Sequence, residues 1–130
     1  MTQELWIAVY AAVLGLVMVL LPPLMAYSRK GYIQWNAGPR DKPFDMGPHA
    51  DRLKRAFSNF KETYIFFVVI AVALAFAHKS SAASIYGAWI YLIGRIVYIP
   101  LYAFAVRGIR SLVWIISVAG LIACFVTLFV

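Results

Sequence analysis

Two groups of polar residues recur at helical spacing within otherwise apolar sequence. Arg52, Arg55, Asn59 and Glu62 are separated by 3, 4 and 3 residues. At about 100° per residue, positions so spaced form one narrow stripe along a helix. The stripe combines two cations, an amide and a carboxylate, while Lys54, Phe57 and Lys61 fall on other faces. Tyr91, Arg95, Tyr98 and Tyr102, separated by 4, 3 and 4, form a second stripe. Cations outnumber carboxylates, so the pair of stripes suits a polar ligand with anionic groups, which guanidinium binds through two parallel hydrogen bonds. Paired charges and tyrosines can also hold helices together without any chemistry. Spacing alone leaves both readings open.

Depth makes these residues informative. An ionisable side chain inside a membrane span is costly unless it is paired or hydrated. Arg95 lies in the middle of an apolar block, too far from either end to extend its charge to the interface. It must pair with a neighbour or face water. Glu62 is the carboxylate expected to meet it, tying two helices together. Pro100, just beyond, is expected to free backbone groups near the site.

The elements that carry these stripes follow from the apolar pattern. The chain has 130 residues, 64% hydrophobic and 13% charged, well outside the balance of a soluble domain. Crossing the hydrocarbon takes about 20 apolar residues. Four blocks qualify, at about residues 5–27, 56–78, 83–106 and 112–130. They use up the chain, so the expected fold class is an all-α membrane protein, one four-helix bundle over residues 1–130. Pro22 and Pro23 are expected to kink or end the first helix near the membrane edge. No basic segment precedes that first block, and it is too long for a secretory leader. Residues 28–52 read as a loop broken by Gly31, Gly38, Pro39, Pro43, Gly47 and Pro48. Asp51 is expected to cap the helix that follows.

Charge sets the orientation. The 28–55 connection carries Arg29, Lys30, Arg40, Lys42, Arg52, Lys54 and Arg55, and the last turn carries Arg107 and Arg110. The opposite side has Lys79 and Glu4. The bias places both basic connections in the cytoplasm and both termini outside, which in a bacterium means the inner membrane. The net charge of +7 then reflects topology and anionic lipid rather than nucleic acid, for which no basic soluble module exists. Cys124 is the only cysteine, so no intrachain disulfide or cysteine metal cluster can form; it reads as a packing residue. His49 and His78 have no ligand spacing and read as loop and turn residues. No metal motif, phosphate loop or nucleophile elbow is present. The tryptophans read mostly as interface anchors.

The segment Arg52-x-x-Arg55-Ala56-x-x-Asn59-x-x-Glu62 resembles the signature of the MAPEG family, the membrane-associated proteins in eicosanoid and glutathione metabolism. Gly94-Arg95-Ile96-Val97-Tyr98-x-x-x-Tyr102 is similar to that family's second signature, and Ile109-Arg110-Ser111 to the start of its fourth helix. Gly38-Pro39-Arg40-Asp41 resembles a bacterial branch. The resemblance implies a homotrimer that binds glutathione between neighbouring protomers near the cytoplasmic face. Arg52, Arg55, Asn59, Glu62, Arg95, Tyr98 and Tyr102 would line that pocket. Arg29 or Lys30 would approach a glutathione carboxylate, Glu62 would take the ammonium, and Arg110 would sit near the thiol as the catalytic residue. A lipophilic electrophile would enter from the bilayer. Some members carry a tyrosine directly after the signature glutamate, where this chain has Thr63.

Three functions fit this reading. The first is a glutathione-dependent transferase or peroxidase acting on lipophilic electrophiles. The second is a non-enzymatic membrane scaffold or lipid-binding protein that retains the fold. The third, a transporter using Glu62 as a proton-coupled carboxylate, fits least, because arginines surround that carboxylate.

Overall fold

The four apolar blocks fold as long helices because nothing inside them competes with the helical pattern and a bilayer leaves no water to satisfy open backbone. The computed structural model describes all 130 residues and contains five helices: α1 (Gln3–Ala26), α2 (Tyr32–Ala37), α3 (Pro48–Phe76), α4 (Ala82–Ala103) and α5 (Ile109–Thr127). All except α2 are long and apolar enough to cross a membrane. Their outward faces carry exposed large apolar side chains, such as Leu16, Leu20, Ile65, Val69, Ile93 and Ile122. The inward faces are built from smaller or well-packed residues, including Ala11, Phe67, Ala71, Leu74 and Ala88. Apolar surface outside and small side chains inside is the arrangement lipid selects.

The closest approach is between α4 and α5. A Cβ on Gly87 would lie 2.6 Å from the Gly120 carbonyl oxygen, and one on Gly120 would lie 2.5 Å from the Gly87 carbonyl oxygen. The two backbones therefore touch, and any side chain at either position would push the helices apart. Ser117 hydroxyl donates to the Tyr91 carbonyl across the same interface at 3.2 Å.

α1 runs through Pro22 and Pro23 and ends at Ala26, close to the end expected near those prolines. Other expectations about this region are corrected. α3 begins at Pro48, with Gly47 at the cap position, so Asp51 lies inside the first turn and does not cap. Proline suits that start because its fixed φ fits a helix and its missing N–H would have no partner there. The connection between α1 and α3 is not an open loop. α2 lies within it, and Tyr32, Trp35 and Phe44 form an aromatic cluster with ring centroids 5.5–5.9 Å apart. Trp35 Nε1 donates to the Lys42 carbonyl at 2.5 Å. His49 stands in the first turn of α3 rather than in a loop. His78 does occupy the turn after α3, with φ 54°.

At the opposite end, α4 starts with a reciprocal cap between Ser81 and Ser84. There Glu4 of α1 is fully buried. Ser80 donates to its carboxylate at 2.9 Å, and Ser84 hydroxyl contacts the same group. Cys124 is buried beside this cluster and donates to the Ser84 carbonyl at 3.2 Å.

Candidate functional site

The second polar cluster lies where the N-terminal half of α3, the C-terminal half of α4 and the start of α5 come together. Arg95 organises it. Only 1% of this side chain is exposed, yet it lies in a helix that must cross lipid. Nη1 donates to Asn59 Oδ1 at 2.7 Å and Nη2 to Thr63 Oγ1 at 2.7 Å. Thr63 Oγ1 also lies 3.1 Å from the Tyr91 hydroxyl. The guanidinium carbon sits 5.5 Å from the Tyr91 ring centroid and 5.7 Å from that of Tyr98. Aromatic faces attract a cation, so two neutral oxygens and two rings together hold the charge. Arg95 Nε is buried without a hydrogen-bond partner.

The expected Glu62–Arg95 contact is therefore corrected: Arg95 bonds to Asn59 and Thr63, and Glu62 is exposed. Asn59 and Thr63 are four residues apart and nearly in line along α3. Glu62 is one residue, about 100°, away from Thr63, and that rotation turns it off the protomer.

The remaining expected site residues divide into groups. Tyr98 and Tyr102 pack ring to ring at 5.6 Å. Arg110 stacks on Tyr102, its guanidinium carbon 4.6 Å from the ring centroid. Asn59, Tyr98 and Arg110 line one cavity of about 280 Å³ with Ser111, Trp114 and Ile115. That volume is just below the range of roughly 300–1,000 Å³ usual for small-molecule pockets. Arg55, like Glu62, is exposed on α3 and joins no cluster within the protomer.

Within the protomer, Arg52, Arg29 and Lys30 lie outside that cluster. Arg52 Nη1 donates to the Ala103 carbonyl at 3.2 Å, and His49 Nδ1 lies 3.1 Å from the same oxygen. Ala103 ends α4, where carbonyls lack helical partners and cations are favoured. Arg52 thus closes the helix that Pro100 weakens. Arg29 Nη1 donates to the Asp45 carbonyl at 3.4 Å. Its guanidinium lies over Gly47, whose φ is 93° and where a Cβ would come within 2.6 Å of Nη2. It fastens the connection before α3. Lys30 is exposed.

Sequence reasoning missed Thr63, Ser111 and Trp114 as parts of the site. A usable signal existed: Thr63 is four residues beyond Asn59 and Trp114 four beyond Arg110, each on the same helical line. Trp114 is half-buried, and its Nε1 has no partner. No three His, Cys, Asp or Glu side chains converge to hold a metal.

The arrangement offers fixed cations, an amide and phenol hydroxyls at one end of a lipid-facing bundle, beside an apolar wall. Such a surface can bind an anionic, hydrogen-bonding molecule while an apolar one approaches from the side. Residues 7–130 match the sequence model of the MAPEG family. No curated protein and no solved structure matches the chain.

Proposed function

The chain belongs to the MAPEG family, and from that premise we propose that it is a glutathione-dependent transferase or peroxidase acting on lipophilic electrophiles. It is an integral membrane protein whose four apolar helices meet lipid. One observation supports the activity most. Asn59, Arg95, Tyr98, Tyr102 and Arg110 converge at one end of the bundle, while Arg55 and Glu62 stand exposed beside them on a membrane-crossing helix. Left facing lipid within the span, the Glu62 carboxylate would be costly, and Arg55 stands just before that span. A neighbouring protomer that covers them removes that cost and completes a half-formed cavity. This favours a homotrimer with glutathione between protomers, the arrangement that the family resemblance implies, oriented with its basic connections at the cytoplasmic face of an inner membrane.

The chemistry follows from the side chains. Glutathione carries two carboxylates, an ammonium and a thiol. Arg55 binds a carboxylate, Glu62 takes the ammonium, and Asn59 and Tyr98 orient the peptide. Arg95, already bonded within the protomer, shapes the pocket from behind. Arg110, steadied on Tyr102, favours the thiolate over the thiol, because a nearby cation lowers the cost of the sulfur anion. The thiolate sulfur attacks the electrophilic carbon of the acceptor. A C–S bond forms and the leaving group departs with the bonding electrons of its own bond to carbon.

The protein, reconstituted with glutathione and a chlorinated nitroaromatic acceptor, is expected to form the thioether with release of chloride. Absence of product from a folded oligomer, with any acceptor tried, would overturn the catalytic reading. One observation favours the scaffold reading instead: the buried Arg95 finds both its side-chain acceptors inside one protomer. A scaffold would keep that bond and bind no glutathione.

A further inference from the structure

The end of the bundle remote from Arg110 carries a feature that the proposed activity does not use. From the Gly87–Gly120 contact toward the α3–α4 turn, α4 and α5 leave a wedge between them of about 640 Å³. Ala83, Ala123, Val126 and Val130 form its apolar walls, and Lys79 and Ser81 stand at its mouth. Those wall residues are exposed, so the wedge opens outward. On two membrane-crossing helices, an outward apolar wedge faces acyl chains, since water is absent from the hydrocarbon.

The mouth adds a charge preference. Residues 1–28, 62–94 and 111–130 contain no Lys or Arg other than Lys79. Lys79 is therefore the lone side-chain cation at this end. One of its three ammonium N–H groups donates to the Leu128 carbonyl at 2.8 Å, which holds the charge over the end of α5 and leaves two donors. The carboxylate nearby, Glu4, is turned inward and bonded by Ser80 and Ser84, so it does not face the wedge.

We propose that this wedge is a binding site for an anionic phospholipid, with the head-group phosphate on Lys79 and one acyl chain packed between α4 and α5. The wedge supplies retention and the lysine supplies selection. A single basic residue near the membrane surface favours an anionic head group by about fivefold. The site is independent of the glutathione reading and stands or falls without it.

Native mass spectrometry tests it on the whole protein, released from detergent with equal amounts of phosphatidylglycerol and phosphatidylcholine of matched chains. The expected result is about one phosphatidylglycerol per protomer at this site, with the roughly fivefold preference over phosphatidylcholine lost in Lys79→Gln, so that the phosphatidylglycerol count falls as phosphatidylcholine takes its place, while lipid held at the basic end persists. Ala123→Trp, which fills the wedge, is expected to lose the same molecule, and Ala83→Phe narrows the wedge from the other wall if the tryptophan variant does not assemble. Glycerol phosphate, which has the charge without the chains, is expected not to displace the lipid. An unchanged phosphatidylglycerol count in Lys79→Gln would overturn the proposal. Unchanged retention in the wedge-filled variants, or displacement by glycerol phosphate, would overturn it as well.

Discussion

The two ends of this bundle bury charge in different ways. At one end, the Glu4 carboxylate meets the hydroxyls of Ser80 and Ser84 and is closed off, with Cys124 packed behind. That carboxylate finds its donors within the protomer, while Thr2 Oγ1 at the same end is buried without a partner. At the other end, Arg95 is held by Asn59, Thr63 and two tyrosine rings, but the cluster around it is unfinished. Arg95 Nε and Trp114 Nε1 are buried without partners, and Arg55 and Glu62 project from a membrane-crossing helix. A completed polar cluster holds helices in register. An uncompleted one, in a medium that tolerates few open polar groups, leaves room for a ligand or a second protomer.

The largest effect should come from opening the closed end. Replacing Ser80 and Ser84 together by alanine leaves the Glu4 carboxylate buried without its side-chain donors. The expected loss is about 3–5 kcal/mol of stability, as for a buried charge stripped of its partner, read by thermal unfolding in detergent. Glutathione affinity of the folded fraction should not move. If affinity falls instead, the two ends are coupled and the contrast between them fails.

Arg110→Ala acts on the open end and should do the reverse. Conjugation should drop about 100-fold, the size seen when one preorganised electrostatic donor is removed from a reacting site, with the melting curve and oligomer unchanged. Next in size is Thr63→Val, which keeps the shape but removes the oxygen that Arg95 and Tyr91 share. Leaving those groups underbonded should cost about 1–3 kcal/mol, with only a secondary change in rate. Smallest should be Tyr102→Phe. The ring under Arg110 remains, so turnover is expected to stay within about threefold, since a 1.4 kcal/mol change would be needed for tenfold; a larger loss would show that the phenol hydroxyl itself touches the reactants.

The contrast also explains what could be read from the sequence. Long apolar blocks announce membrane helices because length and composition alone decide them. The stripe of Tyr91, Arg95, Tyr98 and Tyr102 was legible because helical periodicity fixes which residues share a face, whereas of Arg52, Arg55, Asn59 and Glu62 only Asn59 reaches Arg95. The partner of Arg95 was not. Periodicity does not set how far α3 rotates about its axis, and that rotation brings Asn59 and Thr63 to Arg95 and carries Glu62 outward. Glu4 was illegible for another reason. It stands at the edge of an apolar block like any interfacial acid, and its partners Ser80 and Ser84 lie 76 and 80 residues away. α2 was hidden because glycine and proline on both sides of it read as loop, while the packing of Tyr32, Trp35 and Phe44 depends on the fold.

The central claim is that the open end binds glutathione and the closed end does not contribute. Calorimetric titration of the purified oligomer with glutathione tests it most directly, run in parallel on Arg55→Ala. The account predicts saturable binding at or below the millimolar range, weakened in Arg55→Ala with the oligomer intact. No binding heat from a folded oligomer, or binding indifferent to Arg55, would contradict it.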